Sequence, residues 1–148
     1  MQPPRLDDQL CFALYAASRA MVRSYGPLLK ELGLTYPQLL VMMVLWEQDD
    51  LSVSQLGERL RLDSGTLTPL LKRMEKQGLV SRQRDPADER RVRVTLTQQG
   101  RDLSGPASRL HHALFCRLQE LSGDSGASEV TGLRDALHAL TEALGEAE

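Results

Sequence analysis

The sequence predicts a mainly α fold with a small β-hairpin wing, a winged helix-turn-helix carried between N- and C-terminal dimerisation helices. Three observations predict it. Two short helical segments stand either side of a tight polar turn near Asp63, which is a helix-turn-helix pattern. Two strand-like runs follow, separated by turn-forming residues. Apolar stripes at helical spacing flank this unit at both ends, and they need partners that a second copy of the chain would supply. At 148 residues the chain has the length of one ordinary domain. We divide it into dimerisation helices over 1–34 and 98–148 and a winged helix over 35–97.

Taken in order, residues 7–30 read as an amphipathic helix with Leu10, Leu14, Ala17, Met21 and Leu28 near one face. Gly33 ends that region. Thr35 caps a second helix with Pro37 in its first turn, and its apolar residues Leu39, Leu40, Met43, Val44 and Trp46 surround most of the axis, so it is buried. Leu51-Ser52-Val53 is a short β-like step before a compact helix from about Ser54 to Leu60. Asp63 or Ser64 caps the next helix, whose residues Leu67, Leu70, Leu71 and Met74 keep helical spacing, and Gly78 stops it. Residues 79–84 and 92–96 pair as strands around the turn Asp85-Pro86-Ala87-Asp88-Glu89. Thr97 caps a long helix from Gln98 to about Leu121, which Gly105-Pro106 should kink or break. Residues 122–126 form a Gly/Ser loop before a last helix ending near Leu144.

The net charge of −2 hides a strong asymmetry. Residues 59–93 hold ten Lys or Arg against five Asp or Glu, or +5; the remainder holds eight against fifteen, or −7. A basic segment in an acidic chain is what one face turned to phosphates requires, although a solvated charged face would look the same. The N-terminus lacks the apolar core of a signal peptide, and the run Leu39 to Trp46 is far too short to span a bilayer, so a cytoplasmic protein without a membrane role is expected. Cys11 and Cys116 are too few and too far apart for a zinc site, and no metal or cofactor is expected. Each is either an inert core residue or a redox-active thiol.

The runs Ser54-Gln55-Leu56-Gly57-Glu58-Arg59-Leu60, Leu67 to Val80 (LTPLLKRMEKQGLV) and Asp85-Pro86-Ala87-Asp88-Glu89-Arg90-Arg91 resemble the MarR family of bacterial regulators, over nearly the whole chain. Within it, Gln9-Leu10-Cys11-Phe12-Ala13-Leu14-Tyr15 and Leu34-Thr35-Tyr36-Pro37-Gln38 look like the organic-hydroperoxide-sensing subgroup called OhrR. The resemblance implies a DNA-binding repressor, not an enzyme, acting as a homodimer on a near-palindromic duplex operator and induced by an organic hydroperoxide. It further implies that Cys11 is the peroxide sensor, that two tyrosines of the partner subunit, here Tyr25 and Tyr36, hydrogen-bond its sulfur, and that Cys116 matches the two-cysteine branch, in which the other subunit's second cysteine resolves the oxidised sensor.

The residue chemistry is compatible with these roles. Thiolate is the reactive form, and Cys11 lies near a helix start, where free N–H groups and the positive dipole end favour an anion. Asp7 and Asp8 oppose it, whereas a phenol O–H stabilises the sulfur without adding charge. Phe12, Leu14, Met21 and Met42 would make an apolar pocket, if they are not simply core. For DNA, Ser64, Thr66 and Thr68 occupy the first turns of the second helix, where base edges are met. Lys72 and Arg73 lie later, with Lys76, suited to phosphates, and Ser54 and Gln55 stand at a helix N-terminus. Arg84, Arg90 and Arg91 are suited to a minor groove, with Asp88 holding the wing in shape around Arg90. Two rivals remain at this level: a regulator of the same fold released by a small phenolic ligand, with both cysteines inert, and a thiol peroxidase.

Overall fold

The computed structural model describes residues 3–121 and 126–145. The expected loop at 122–126 lies outside these apart from Gly126, the first residue of the last helix. The chain divides into two compact units, Met1–Ser108 and Arg109–Glu148.

The first unit opens with a 3-10 turn, Leu6–Asp8, and then α1, Leu10–Ser24. The single helix expected over 7–30 is thus corrected: α2, Gly26–Leu32, is a separate element. Pro27 is the reason. It has no N–H to give the carbonyl four residues back, and its ring presses on that carbonyl, which favours a break here, although a later helix continues through Pro69. The expected apolar face divides with it. Leu28 is buried in α2, whereas α1 buries none of its side chains and leaves Leu10 and Met21 exposed. Gly33 then closes α2 in the left-handed conformation at φ 66°, which a residue without Cβ adopts at no steric cost.

Thr35 caps α3, Tyr36–Glu47, as expected, and the cap is reciprocal: the Gln38 N–H donates to the Thr35 hydroxyl, and the Thr35 N–H donates to the Gln38 side chain. Leu39, Val41, Met42, Val44 and Leu45 are all buried. β1, Leu51–Ser52, leads into α4, Val53–Leu60, which begins one residue before the expected start because Ser52 supplies the cap. Asp63, rather than Ser64, caps α5, Ser64–Lys76, its carboxylate accepting the Thr66 N–H at 2.7 Å. Leu56, Leu67, Leu71 and Met74 are fully buried where α4 and α5 pack.

β2, Val80–Arg84, and β3, Val92–Leu96, form the expected hairpin. β1 joins them in an antiparallel sheet of order β1-β3-β2, with Leu51 opposite Val94. The long helix expected from Gln98 breaks earlier than Gly105-Pro106: α6, Gln98–Asp102, stops at Leu103, and α7, Ser104–Leu121, starts again with Pro106 in its first turn. The carbonyl that Pro106 cannot satisfy is that of Asp102, four residues back, where α6 ends. The second unit comprises the rest of α7 and α8, Gly126–Gly145. Phe115, Leu133, Leu137 and Leu144 are exposed on it. Among the described residues no single helix is long and apolar enough to cross a membrane.

Candidate nucleic-acid interface and redox centre

The helix-turn-helix is held by a close backbone approach. Leu62 donates its N–H to the Gly57 carbonyl at 3.0 Å, and a Cβ on Gly57 would lie 2.7 Å from the Leu62 carbonyl oxygen. That contact fixes the angle between α4 and α5. Ser64 and Thr66 are exposed at the start of α5, Thr68 is half-buried, and Lys72, Arg73 and Lys76 are exposed along its later turns. On α4, Ser54 and Gln55 are exposed. The Gln55 amide oxygen is, however, engaged as acceptor of the Ser52 N–H at 2.8 Å. Gln55 therefore acts first as a cap.

The wing is shaped by two aspartates. Asp88 accepts the backbone N–H of Arg90 at 3.1 Å, so it sets the loop rather than the Arg90 guanidinium. Asp85 accepts the Ala87 N–H at 2.9 Å, and its own N–H donates to the Arg91 carbonyl at 2.8 Å. Both arginines are exposed at the tip, and Arg84 reaches across to the Glu89 carbonyl at 3.2 Å. At the base, Arg93 donates to the Asp50 carboxylate at 2.8 Å and lies 3.6 Å from Asp85. The Arg93 hydrogen bond holds the Asp50 carboxyl below its ordinary range. A carboxyl depressed in this way keeps its tie above the ordinary range and loses it as pH falls through the lowered value. Asp50 escaped the sequence reading because it sits 43 positions from Arg93.

Cys11 is exposed in the first turn of α1. Gln9, at the N-cap, contributes no side-chain cap, and donates its side-chain amide to the Arg5 carbonyl instead. First-turn N–H groups and the dipole end therefore remain available to an anion there. Tyr25 and Tyr36, eleven positions apart, are brought together edge to face with ring centroids 5.2 Å apart. Burial, and then Tyr36, push the Tyr25 phenol above its ordinary ionisation range, so at neutral pH it stays a hydrogen-bond donor. Of the four residues expected to line an apolar pocket, Met42 is fully buried in the winged-helix core, whereas Phe12 and Met21 are exposed on α1. Met42 is thus core. Cys116, half-buried on α7, has its sulfur 3.7 Å from Nδ1 of His112. Sequence reading missed that contact, although the four-residue spacing was its signal. Among the described residues no group of His, Cys, Asp and Glu is arranged to hold a metal ion.

Comparison with known proteins places this architecture. Residues 23–105 match the family described as transcriptional regulator SarA/Rot. The organic hydroperoxide resistance transcriptional regulator of Bacillus subtilis (strain 168) is 47% identical over 140 residues, covering 95% of this chain and 92% of its own. Reduced AbfR bound to DNA, a protein of Staphylococcus epidermidis, is 36% identical, with 93% of this chain and 95% of that one covered and a TM-score of 0.75. The disulfide-formed state of AbfR matches with a TM-score of 0.70 at 36% identity, covering 93% of each chain. With its helix-turn-helix, its three-stranded wing sheet and these likenesses, the chain belongs to the SarA/Rot family of MarR-like winged-helix transcriptional regulators.

Proposed function

We propose that this regulator is a cytoplasmic homodimeric repressor that senses organic hydroperoxides through Cys11 and then releases its operator. The observation that carries the reading is an exposed Cys11 in the first turn of α1, in a chain 47% identical to a regulator of organic hydroperoxide resistance. The Cys11 thiolate attacks one peroxide oxygen, the O–O bond breaks, the sulfur loses two electrons to become a sulfenic acid, and the alkoxide leaves as alcohol after taking a proton. The phenols of the partner's Tyr25 and the partner's Tyr36 donate to the sulfur and stabilise its charge. Cys116 of the partner subunit then attacks the sulfenic sulfur, and the S–S bond forms as water leaves. A disulfide needs Cα atoms within about 7 Å. If the reduced dimer holds them farther apart, closing the bond draws N- and C-terminal helices together and turns the two winged helices off their half-site spacing.

On DNA, α5 enters the major groove with Ser64, Thr66 and Thr68 toward base edges, while Lys72 and Arg73 meet phosphates and the wing places Arg84, Arg90 and Arg91 at the minor groove. Ser54 and Gln55 meet backbone phosphate from the start of α4. The reading is tested by a gel shift with DNA from upstream of its own gene. A dimer should bind a near-palindrome with half-sites about 34–36 Å apart and let go when cumene hydroperoxide is added. Persistent binding by protein whose Cys11 is oxidised by mass spectrometry overturns it.

Arg90 allows a sharper check, because Asp88 holds its backbone and leaves its guanidinium exposed. Arg90→Ala should weaken binding and reduce the salt slope by about one unit, as loss of one phosphate contact does. An unchanged slope, measured by fluorescence anisotropy across salt concentrations, would take Arg90 out of the interface.

A further inference from the structure

The Cys116 thiol and the His112 imidazole lie on one face of α7, with the sulfur 3.7 Å from Nδ1 and 4.0 Å from Nε2. Four residues is the helical spacing that sets side chains side by side, so this contact is built by the backbone and not by a chance rotamer alone. His112 is exposed, and Cys116 is half-buried. Histidine is the side chain that exchanges a proton near neutral pH, and a thiol needs to lose one before its sulfur can attack. Arg109, three positions before His112, and Arg117, beside Cys116, add positive charge to the same stretch of helix, and Glu120, four positions beyond Cys116, adds negative charge.

We infer that His112 is the positioning base of Cys116, taking the thiol proton as its sulfur attacks the oxidised sensor. This rests on the reading of Cys116 as the resolving thiol. In the step, the Cys116 sulfur forms the S–S bond, the S–O bond of the sulfenic acid breaks, and the proton held by His112 goes to the departing hydroxide to make water. The sulfenic sulfur is reduced as the thiol is oxidised, so no further reductant enters. The sensor is then capped before a second peroxide can carry it to sulfinic acid. His111, one residue away, points about 100° around the helix and serves as the control.

The test uses full-length Cys11→Ser protein, in which Cys116 is the sole thiol of a chain with two cysteines. The rate of its alkylation by iodoacetamide is compared with and without His112→Gln. Thiolate is the form that is alkylated, so the rate reads how readily the proton leaves Cys116. A three- to tenfold fall in rate for His112→Gln, with no fall for His111→Gln, supports the pairing. Unfolding of α7 would expose the thiol and speed alkylation, so a fall cannot come from damage. An unchanged or faster rate overturns the inference. In protein that keeps Cys11, His112→Gln should also slow the appearance of the covalent dimer after one equivalent of cumene hydroperoxide. If wild type never forms that dimer while His112→Gln still slows alkylation, the resolving role of Cys116 fails and its pairing with His112 stands.

Discussion

Cys11→Ser protein is expected to bind its operator as wild type does and to stay bound when an organic hydroperoxide is added. For wild type, oxidation should weaken apparent affinity at least about tenfold, within the usual range of coupling between two sites; for the serine variant the change should be less than about twofold, since its hydroxyl cannot be oxidised to a sulfenic acid. The unaltered starting affinity follows from position. Cys11 is exposed on α1, whose side chains are none of them buried, so serine removes no core contact. Fluorescence anisotropy before and after titration with cumene hydroperoxide makes the measurement. Release of the serine variant at the wild-type peroxide concentration would assign sensing elsewhere. The same titration would then be repeated with an aromatic acid, because a phenolic inducer acts without Cys11.

Gly100→Ala is expected to cost about 3 kcal/mol, at the upper end for an added methyl in a packed site. A Cβ there would run into the Leu79 carbonyl oxygen and lie 3.2 Å from Cδ2 of Leu96. The backbone oxygen has little room to retreat, because it accepts the Thr97 N–H at 3.1 Å and also the Thr97 hydroxyl at 3.1 Å. Gly100 itself is tied on both sides: its N–H donates to Thr97 Oγ1, and its carbonyl accepts Nε1 of Trp46 at 2.9 Å. Moving α6 away from Leu79 therefore strains both Thr97 bonds to the Leu79 carbonyl. The expected fall in Tm is about 6–12 °C for a chain of this size. Thermal denaturation followed by circular dichroism measures it, with Gly26→Ala as the control, where an added Cβ meets nothing within 4 Å. A Tm for Gly100→Ala indistinguishable from that control would mean that the approach of α6 to β2 is slack.

The linear order of elements was determined by the sequence alone, because its determinants are local. Thr35 with Gln38, Asp63 with Thr66, and Thr97 with Gly100 each close a cap within three residues, and Gly33 and Gly78 mark stops through positive φ. The wing too was legible, since Asp85 and Asp88 shape it through neighbours two residues on. The helix breaks were only partly so: proline favours a break without dictating it, for Pro69 lies inside α5 while the other two breaks fall at Tyr25, two residues before Pro27, and at Leu103, three before Pro106. What only the tertiary structure decided are the contacts between residues distant in the chain. Tyr25 meets Tyr36 across the α2 turn, Arg93 finds Asp50, β1 becomes the third strand beside β3, and Gly57 and Gly100 take places where a methyl would press on a backbone carbonyl. Such contacts depend on how the segments pack, which no local pattern of spacing encodes, because a side chain's partner in space is set by the path of the whole backbone between them.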